Sequence, residues 1–394
     1  MRDVAPALVE LRILDGPNLY FPRPAVKLTL DLSALVDLPV QDALRLAVRL
    51  GVRDPRPGPE GTGFRQRFAA RAVARLVRQV ATEAGTSRLP VRARPDRDVH
   101  RLVVAYPWRH RSRAETLGHA VADLIDALPA DDVDGLVKRA AGRVREADLG
   151  AGPRTLRPHI PVVAVTGSRG KTTVCRLVAH LGQSAGRHVG RSGSDGIFVD
   201  GVLVDAADHS GGAGRLLLRP EVDLAVTEAV QSAILLAGIG VTHNDVSVVT
   251  NVAAGVGGVP EAETADRLAE VKAVVTRITR SDGWCVLNGD DPRVWAMRSL
   301  SPARPWVFSC DPDSPAVREA LDDGARATTV VDDWVFVLEA GHDPDPLVRV
   351  ADVPMTGADP PAYAVLNVLA AASAGLAVGL PAKAVVTGLE SFSP

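Results

Sequence analysis

The sequence predicts an α/β protein with a mostly parallel sheet organised around a phosphate-binding loop, preceded by a small α+β domain. Three observations predict it. Residues 160–166 are β-branched and apolar and end at Gly167, as a short buried strand does. Beyond Thr172, Val174, Leu177, Val178 and Leu181 recur at helical steps. Further short apolar runs at 222–228 and 245–251 have the character of buried strands of the same sheet.

At 394 residues the chain is long for one domain, and 46% of it is apolar, enough for two cores. A net charge of −2 and a pI near 6.5 argue against nucleic acid or an anionic membrane as partner. Cys175, Cys285 and Cys310 lack metal-ligand or redox spacing and are expected as buried, reduced thiols. No signal-type apolar core opens the chain and no run is long enough to span a bilayer, so a cytoplasmic setting is expected.

The first part, residues 1–150, starts with two alternating strand patterns at 9–14 and 25–32, separated by the turn-rich stretch 15–24. Helices are predicted over 40–50 and 64–83. On the second, Phe64, Phe68, Ala72, Leu76 and Val80 form one apolar stripe. Arg67, Arg71, Arg75 and Arg78 lie on a neighbouring face, which reads either as a solvated basic face or as a site for an anionic substrate. A strand at 100–106 and a helix at 114–128 complete this domain, which holds no catalytic constellation. Gly, Pro and Arg dominate 149–161, a linker composition.

The second part begins with Gly167-Ser168-Arg169-Gly170-Lys171-Thr172-Thr173. A strand passing through a glycine turn into a helix aims backbone N–H groups and the positive helix end at one spot, which suits a polyphosphate. Lys171 supplies a cation for the β- and γ-phosphates, and Thr172 a hydroxyl where Mg²⁺ needs oxygen. The strict phosphate-loop pattern has glycine where Ala164 stands, so the general motif is met in part. Asp200-Gly201 between two apolar runs predicts a hairpin. Glu228 ends one strand and Asn251 another, where parallel strands gather beside the loop. Glu228 fits a Mg²⁺ ligand and equally a helix cap or a surface carboxylate. A helix over about 261–280 carries Lys272, and Asn288, Asp290 and Asp291 fit ligand binding or plain turn and cap chemistry. Two or three short strands over 306–349 and helices over 361–375 and 382–389 finish the chain.

In order and spacing these motifs resemble the central ATP-binding domain of the Mur ligase superfamily over residues 161–394, most closely the ligase half of the cyanophycin synthetases. The phosphate loop is matched by residues 164–173, and the family's aspartate–glycine hairpin is echoed by Ser194-Asp195-Gly196 through Asp200-Gly201. The resemblance implies that Gly167, Ser168, Arg169, Gly170, Lys171, Thr172, Thr173 and Asn251 attend the nucleotide. Glu228 falls on the family's magnesium glutamate. Lys272 falls on a lysine that several members carbamylate and use to help hold a metal. Asn288, Asp291 and Asn367 match positions that approach adenine and ribose. Leu11-Arg-Ile-Leu-Asp-Gly-Pro-Asn-Leu-Tyr20 resembles the opening of cyanophycin synthetases, so residues 1–150 are expected to be their N-terminal domain and 156–394 the central domain. The implied activity is ATP-dependent amide ligation: a carboxylate becomes an acyl phosphate and an amine attacks it, with Lys171 and Glu228 as the catalytic pair and ATP and Mg²⁺ as cofactors.

Three departures accompany the match. Gly255-Val256 stands where the family has an Asp-His pair whose histidine serves a second metal. Gln231 and Ser232-Ala233 replace an arginine and two glycines after the glutamate. Relatives continue into a further domain that closes over ATP, and the ATP-grasp half of the cyanophycin synthetases has no counterpart here. An alternative therefore stays open: an ATP-binding homologue without catalysis, acting as a regulatory or assembly partner. A second copy or a partner chain supplying the closing domain would reconcile the two.

Overall fold

The structure is a computed structural model and describes residues 6–52, 55–128, 132–206, 212–253, 264–357 and 361–393. The chain divides into two compact units, Met1–Asp15 with Arg23–Arg154, and Gly16–Pro22 with Thr155–Pro394.

The first unit is built on a four-stranded antiparallel sheet of β1 (Leu8–Leu14), β2 (Ala25–Asp31), β3 (Arg92–Pro95) and β4 (Arg101–Pro107), ordered β1-β2-β4-β3. It shares one core with α1 (Ser33–Val36), α2 (Val40–Arg49), α3 (Gly63–Glu83), α4 (Arg111–Asp126) and α5 (Val133–Glu146). Sequence reasoning missed α5. Gly135 and Gly142 dilute its helical pattern, yet Val133, Val137, Ala140, Ala141 and Val144 are buried together and Asp132 caps the start by accepting from Gly135 N.

The apolar stripe expected on α3 needs one correction. Phe68, Ala72, Leu76 and Val80 are buried, but Phe64 is 68% exposed and lies under the Arg67 guanidinium instead of in the core. The neighbouring arginines are not uniformly solvated. Arg67, Arg71 and Arg78 line an open groove of about 710 Å³ with Arg56, while Arg75 donates to Leu50 O at 3.2 Å. Arg65, in contrast, is wholly buried, its guanidinium spent on the carbonyls of Pro57, Gly58 and Leu38.

The second unit contains an eleven-stranded sheet. Its strands are β5 (Val162–Thr166), β6 (Val189–Gly193), β7 (Gly196–Val199), β8 (Val202–Asp205), β9 (Leu224–Glu228), β10 (Asn244–Val249), β11 (Thr279–Asn288), β12 (Arg304–Phe308), β13 (Arg326–Val331), β14 (Trp334–Glu339) and β15 (Asp345–Arg349). The spatial order is β15-β14-β13-β12-β11-β10-β5-β9-β6-β7-β8. From β13 to β6 all pairings are parallel, and an antiparallel extension closes each side. Helices α6 (Lys171–Ser184), α7 (Gly212–Leu217), α8 (Gln231–Leu236), α9 (Ala265–Arg277), α10 (Pro292–Trp295), α11 (Pro315–Asp322), α12 (Ala362–Ala377) and α13 (Ala382–Ser391) complete it. The stretch 306–349, read from sequence as a few strands, also contains α11, whose start Ser314 caps by accepting from Val317 N.

Two local features explain sequence signals. Residues Gly16–Pro22, carried by the turn between β1 and β2, belong to the second unit, where Ile239 N donates to Pro17 O at 2.8 Å. A side chain at Gly16 would overlap Ile239 O, and Asn18 Oδ1 fixes the turn by accepting from Tyr20 N and Phe21 N. The cysteines follow expectation in part: Cys175 and Cys285 are buried, Cys310 only half so, and all three are free thiols. Burial pushes the Cys285 and Cys310 thiols up to about 11.

The position of the candidate site depends on α6. Val174, Leu177, Val178 and Leu181 pack into one cluster with Val163 and Val165 of β5, Val368 and Leu369 of α12, and Val385 and Leu389 of α13. Helix α13 can approach because residue 388 is glycine; a Cβ there would stand 2.7 Å from Leu181 Cδ2. Gly388→Val is therefore expected to overpack this contact and cost about 1–3 kcal/mol, read as a lowered Tm in thermal melts.

Candidate nucleotide and metal site

Strand β5 is buried along its whole length and is followed by Gly167, where a side chain would overlap the Thr250 hydroxyl. The loop that follows is fastened to the end of β10. Ser168 N donates to Asn251 O at 3.0 Å, and Arg169 N to Asn251 Oδ1 at 2.9 Å. Asn251 Nδ2 and Thr250 Oγ1 both donate to Arg169 O, at 3.0 and 2.6 Å. The Ser168 hydroxyl accepts from Ala253 N at 2.9 Å. The side chains of Asn251 and Ser168 and the backbone of Arg169 are thus spent on holding the loop's shape, and the N–H groups of Ser168 and Arg169 are already satisfied. The anion-seeking donors are instead those of the first turn of α6, which lack intrahelical acceptors as at any helix start. Gly170 enters that helix with φ of 83°, a left-handed conformation that glycine adopts without penalty.

Lys171 and Thr172 open α6 and converge on Glu228 from β9. Thr172 Oγ1 donates to Glu228 Oε2 at 3.0 Å, and Ser194 N reaches the same oxygen at 3.4 Å. Lys171 Nζ lies 3.7 Å from Glu228 Oε1 and donates to Ser168 O at 3.3 Å. Two of the three readings left open for Glu228, the surface carboxylate and the helix cap, do not match its surroundings. Its side chain is 3% exposed, so it is no surface carboxylate, and α8 begins at Gln231 without a side-chain cap. Among the described residues no three His, Cys, Asp or Glu side chains gather as a metal cluster. The oxygens on offer are one buried carboxylate and one hydroxyl, hard donors that suit Mg²⁺ keeping water and phosphate in its remaining positions.

Beside the loop a pocket of about 340 Å³ is lined by Gly170, Thr173, Asn251, Phe308, Tyr363 and Asn367, among others. Asn367 is 8% exposed, packs against Gly170, and has no hydrogen-bond partner among the described residues. It is a polar amide available to a ligand. Asn288 and Asp291, which the resemblance matches to nucleoside-side positions, are hydrogen-bonded to the backbone. Asn288 donates to Thr250 O at 2.7 Å and accepts from Asp290 N. Asp291 caps α10 and accepts from Val252 N at 2.7 Å. Neither lines the pocket; both shape the strand ends that carry Thr250 and Asn251.

Lys272 on α9 is 2% exposed, with no hydrogen-bond or ion-pair partner among the described residues. Burial, and then the nearby charge of Lys171, pushes its ammonium down to about 8. Gly255 and Val256 lie outside the described residues. Sequence reasoning did not give roles to Phe308, Tyr363, Arg176 or Arg191; only the fold brings them to the loop's surroundings, and no motif marks them.

A family model for the Mur ligase middle domain matches residues 165–375. Cyanophycin synthetase of Trichormus variabilis is 33% identical over 260 residues, 66% of this chain and 28% of that protein. The enzyme of the same name from Synechocystis sp. is 34% identical over 240 residues, 60% of this chain and 27% of that protein. The chain thus spans little more than a quarter of the length of these relatives. Among solved structures, a UDP-N-acetylmuramoyl-L-alanyl-D-glutamate--2,6-diaminopimelate ligase aligns at 18% identity and a TM-score of 0.45, over 66% of this chain and 50% of that one.

The depressed value of Lys272 has a consequence for stability. Between about pH 8 and the ordinary lysine value of 10.5 the unfolded chain binds more protons than the folded one, so this group's contribution makes stability rise with pH across that window. Lys272→Met is expected to raise stability at pH 7 by about 1–3 kcal/mol and to flatten that rise, as followed by urea titrations at a series of pH values.

Proposed function

The chain belongs to the Mur ligase family, and from that premise we propose that it is an ATP-dependent amide ligase. A carboxylate oxygen attacks the γ-phosphorus of ATP, giving an acyl phosphate and ADP. An amine nitrogen then attacks the acyl carbon, losing a proton and expelling inorganic phosphate. Such phosphoryl transfer asks a protein chiefly to position groups and neutralise charge. The observation that carries the reading is the convergence of Lys171, Thr172 and Glu228 at the first turn of α6.

In this reading the N–H groups at the start of α6, with Lys171, bind the β- and γ-phosphates. Thr172 and Glu228 offer their oxygens to Mg²⁺, which when bound supplies neutralising charge to the phosphates. The Thr172 hydroxyl can donate its hydrogen to Glu228 and still present a lone pair to the ion. Asn251 holds the loop, with Gly167, Ser168, Arg169 and Gly170 as its frame. Thr173 and Asn367 face the nucleoside. Lys272, buried with a lowered proton affinity, gives up its proton more readily than a free lysine; the neutral amine would then add CO₂ and release a second proton, leaving an anionic carbamate near Lys171 that would support a metal.

The acid and amine are amino acids or peptides in this proposal, and the cytoplasm is its setting. Among the described residues no helix is long and apolar enough to cross a membrane. Residues 1–150 are proposed as the counterpart of the cyanophycin synthetase N-terminal domain.

The test is ADP release by the whole chain with Mg²⁺ and ATP, across a panel of amino acids and acidic peptides. Release that requires both an acid and an amine, with Lys171→Ala weakening ATP binding by about 10- to 100-fold, is the expected result. ATP binding without release on any pair would favour a non-catalytic nucleotide module, and unchanged binding by Lys171→Ala would refute the site assignment.

A further inference from the structure

Glu228 is held by more than its two neighbours on α6. The turn between β6 and β7 lies against it: Ser194 N donates to Oε2 at 3.4 Å, and a Cβ on Gly193 would stand 3.2 Å from the same oxygen. That turn is itself clamped by Asp195. Arg191, 7% exposed, donates from Nη1 to Asp195 Oδ1 at 2.8 Å and from Nη2 to Oδ2 at 3.1 Å, a forked pair, and stacks on the Phe198 ring at 4.1 Å. Arg176, one turn along α6 from Thr172, donates to Asp195 Oδ2 at 2.8 Å. One carboxylate therefore ties the turn both to its own hairpin and to the helix that begins with Lys171 and Thr172.

We propose that Asp195 is a positioning residue for the metal-binding carboxylate: its clamp on Arg176 and Arg191 keeps Ser194 N–H and Thr172 Oγ on Glu228 Oε2, so that Oε1, 3.7 Å from Lys171 Nζ, is the oxygen presented to a divalent cation. Two donors on one oxygen fix the carboxylate's rotation, and the remaining oxygen carries the charge a cation meets. The clamp also keeps Arg191 occupied. Arg191 Nη1 and Glu228 Oε2 each lie 3.2 Å from the point where a Gly193 Cβ would stand. An Arg191 released from Asp195 would be close enough to compete with the cation for Glu228.

The inference rests on the reading of Glu228 as a metal ligand, and its test separates the two. ATP binding to the whole chain is measured calorimetrically over a series of Mg²⁺ concentrations and also in EDTA. In Asp195→Asn the Mg²⁺ half-saturation is expected to rise by about tenfold or more, while affinity in EDTA changes little; Asp195→Glu restores part of the loss. A merely structural brace would lower Tm and leave the half-saturation, measured well below the melt, where it was. Arg176→Gln, at a side chain 49% exposed, removes only the α6 anchor and is expected to shift the half-saturation in the same direction; it decides the matter should Asp195→Asn fail to fold. An unchanged half-saturation in the folded variants overturns the role of Asp195. Failure of the underlying reading has a different signature, which is ATP affinity in the wild type that does not respond to Mg²⁺ at all.

Discussion

The site depends on one buried carboxylate and the groups that crowd it. Glu228 sits at the end of β9, beside β5, and gathers Thr172 Oγ1, Ser194 N and Lys171 Nζ around its two oxygens. A carboxylate removed from water needs such partners, because an unpaired one costs several kcal/mol. The same contacts give Lys171 and Glu228 mutual compensation. In the proposed function, a triphosphate arriving at α6 would compete with Glu228 for Lys171, and a divalent cation would give the displaced carboxylate a new partner. Under that proposal nucleotide and cation are thermodynamically linked through a single ion pair.

The scaffold makes that crowding possible. The chain leaves β5, crosses to β6, returns to β9 at one side of β5, and then places β10 at the other. Ligands in open parallel sheets bind at such reversals, outside the C-terminal strand ends. Both flanking strands contribute at the site: β9 brings Glu228, and the end of β10 brings Thr250 and Asn251, which grip the loop through Arg169. On the other side α12 and α13 press α6 onto the sheet, so its first turn is fixed in place.

Much of this was legible in the sequence, for physical reasons. A fully buried strand such as β5 reads as a nearly continuous apolar run, and a glycine at 167 is demanded by Thr250. The phosphate loop and Glu228 could be named because strand ends in a parallel sheet share one edge, whereas Lys272, inside a helix, was named only through the family resemblance. What stayed hidden depends on distance along the chain. Asp195 could not be paired with Arg176 from spacing, since 19 residues separate them and the pairing exists only once β6 and β7 fold against α6. Asn288 and Asp291 were ambiguous because an Asx side chain that caps a turn has the same sequence signature as one that binds a ligand; the structure gives both to the backbone. Helix α5 was missed because glycines weaken the periodic signal while tertiary burial supplies the stability.

The most direct measurement is the effect of Glu228→Gln on the coupling between nucleotide and cation, with ATP affinity determined in EDTA and at saturating Mg²⁺. The linkage through Lys171 and Glu228 predicts that wild-type affinity climbs by roughly tenfold or more with Mg²⁺. It predicts a variant that binds ATP more tightly than wild type in EDTA, because Lys171 no longer has a competing anion, and that gains little from Mg²⁺. A variant with the wild-type dependence on Mg²⁺ would contradict it.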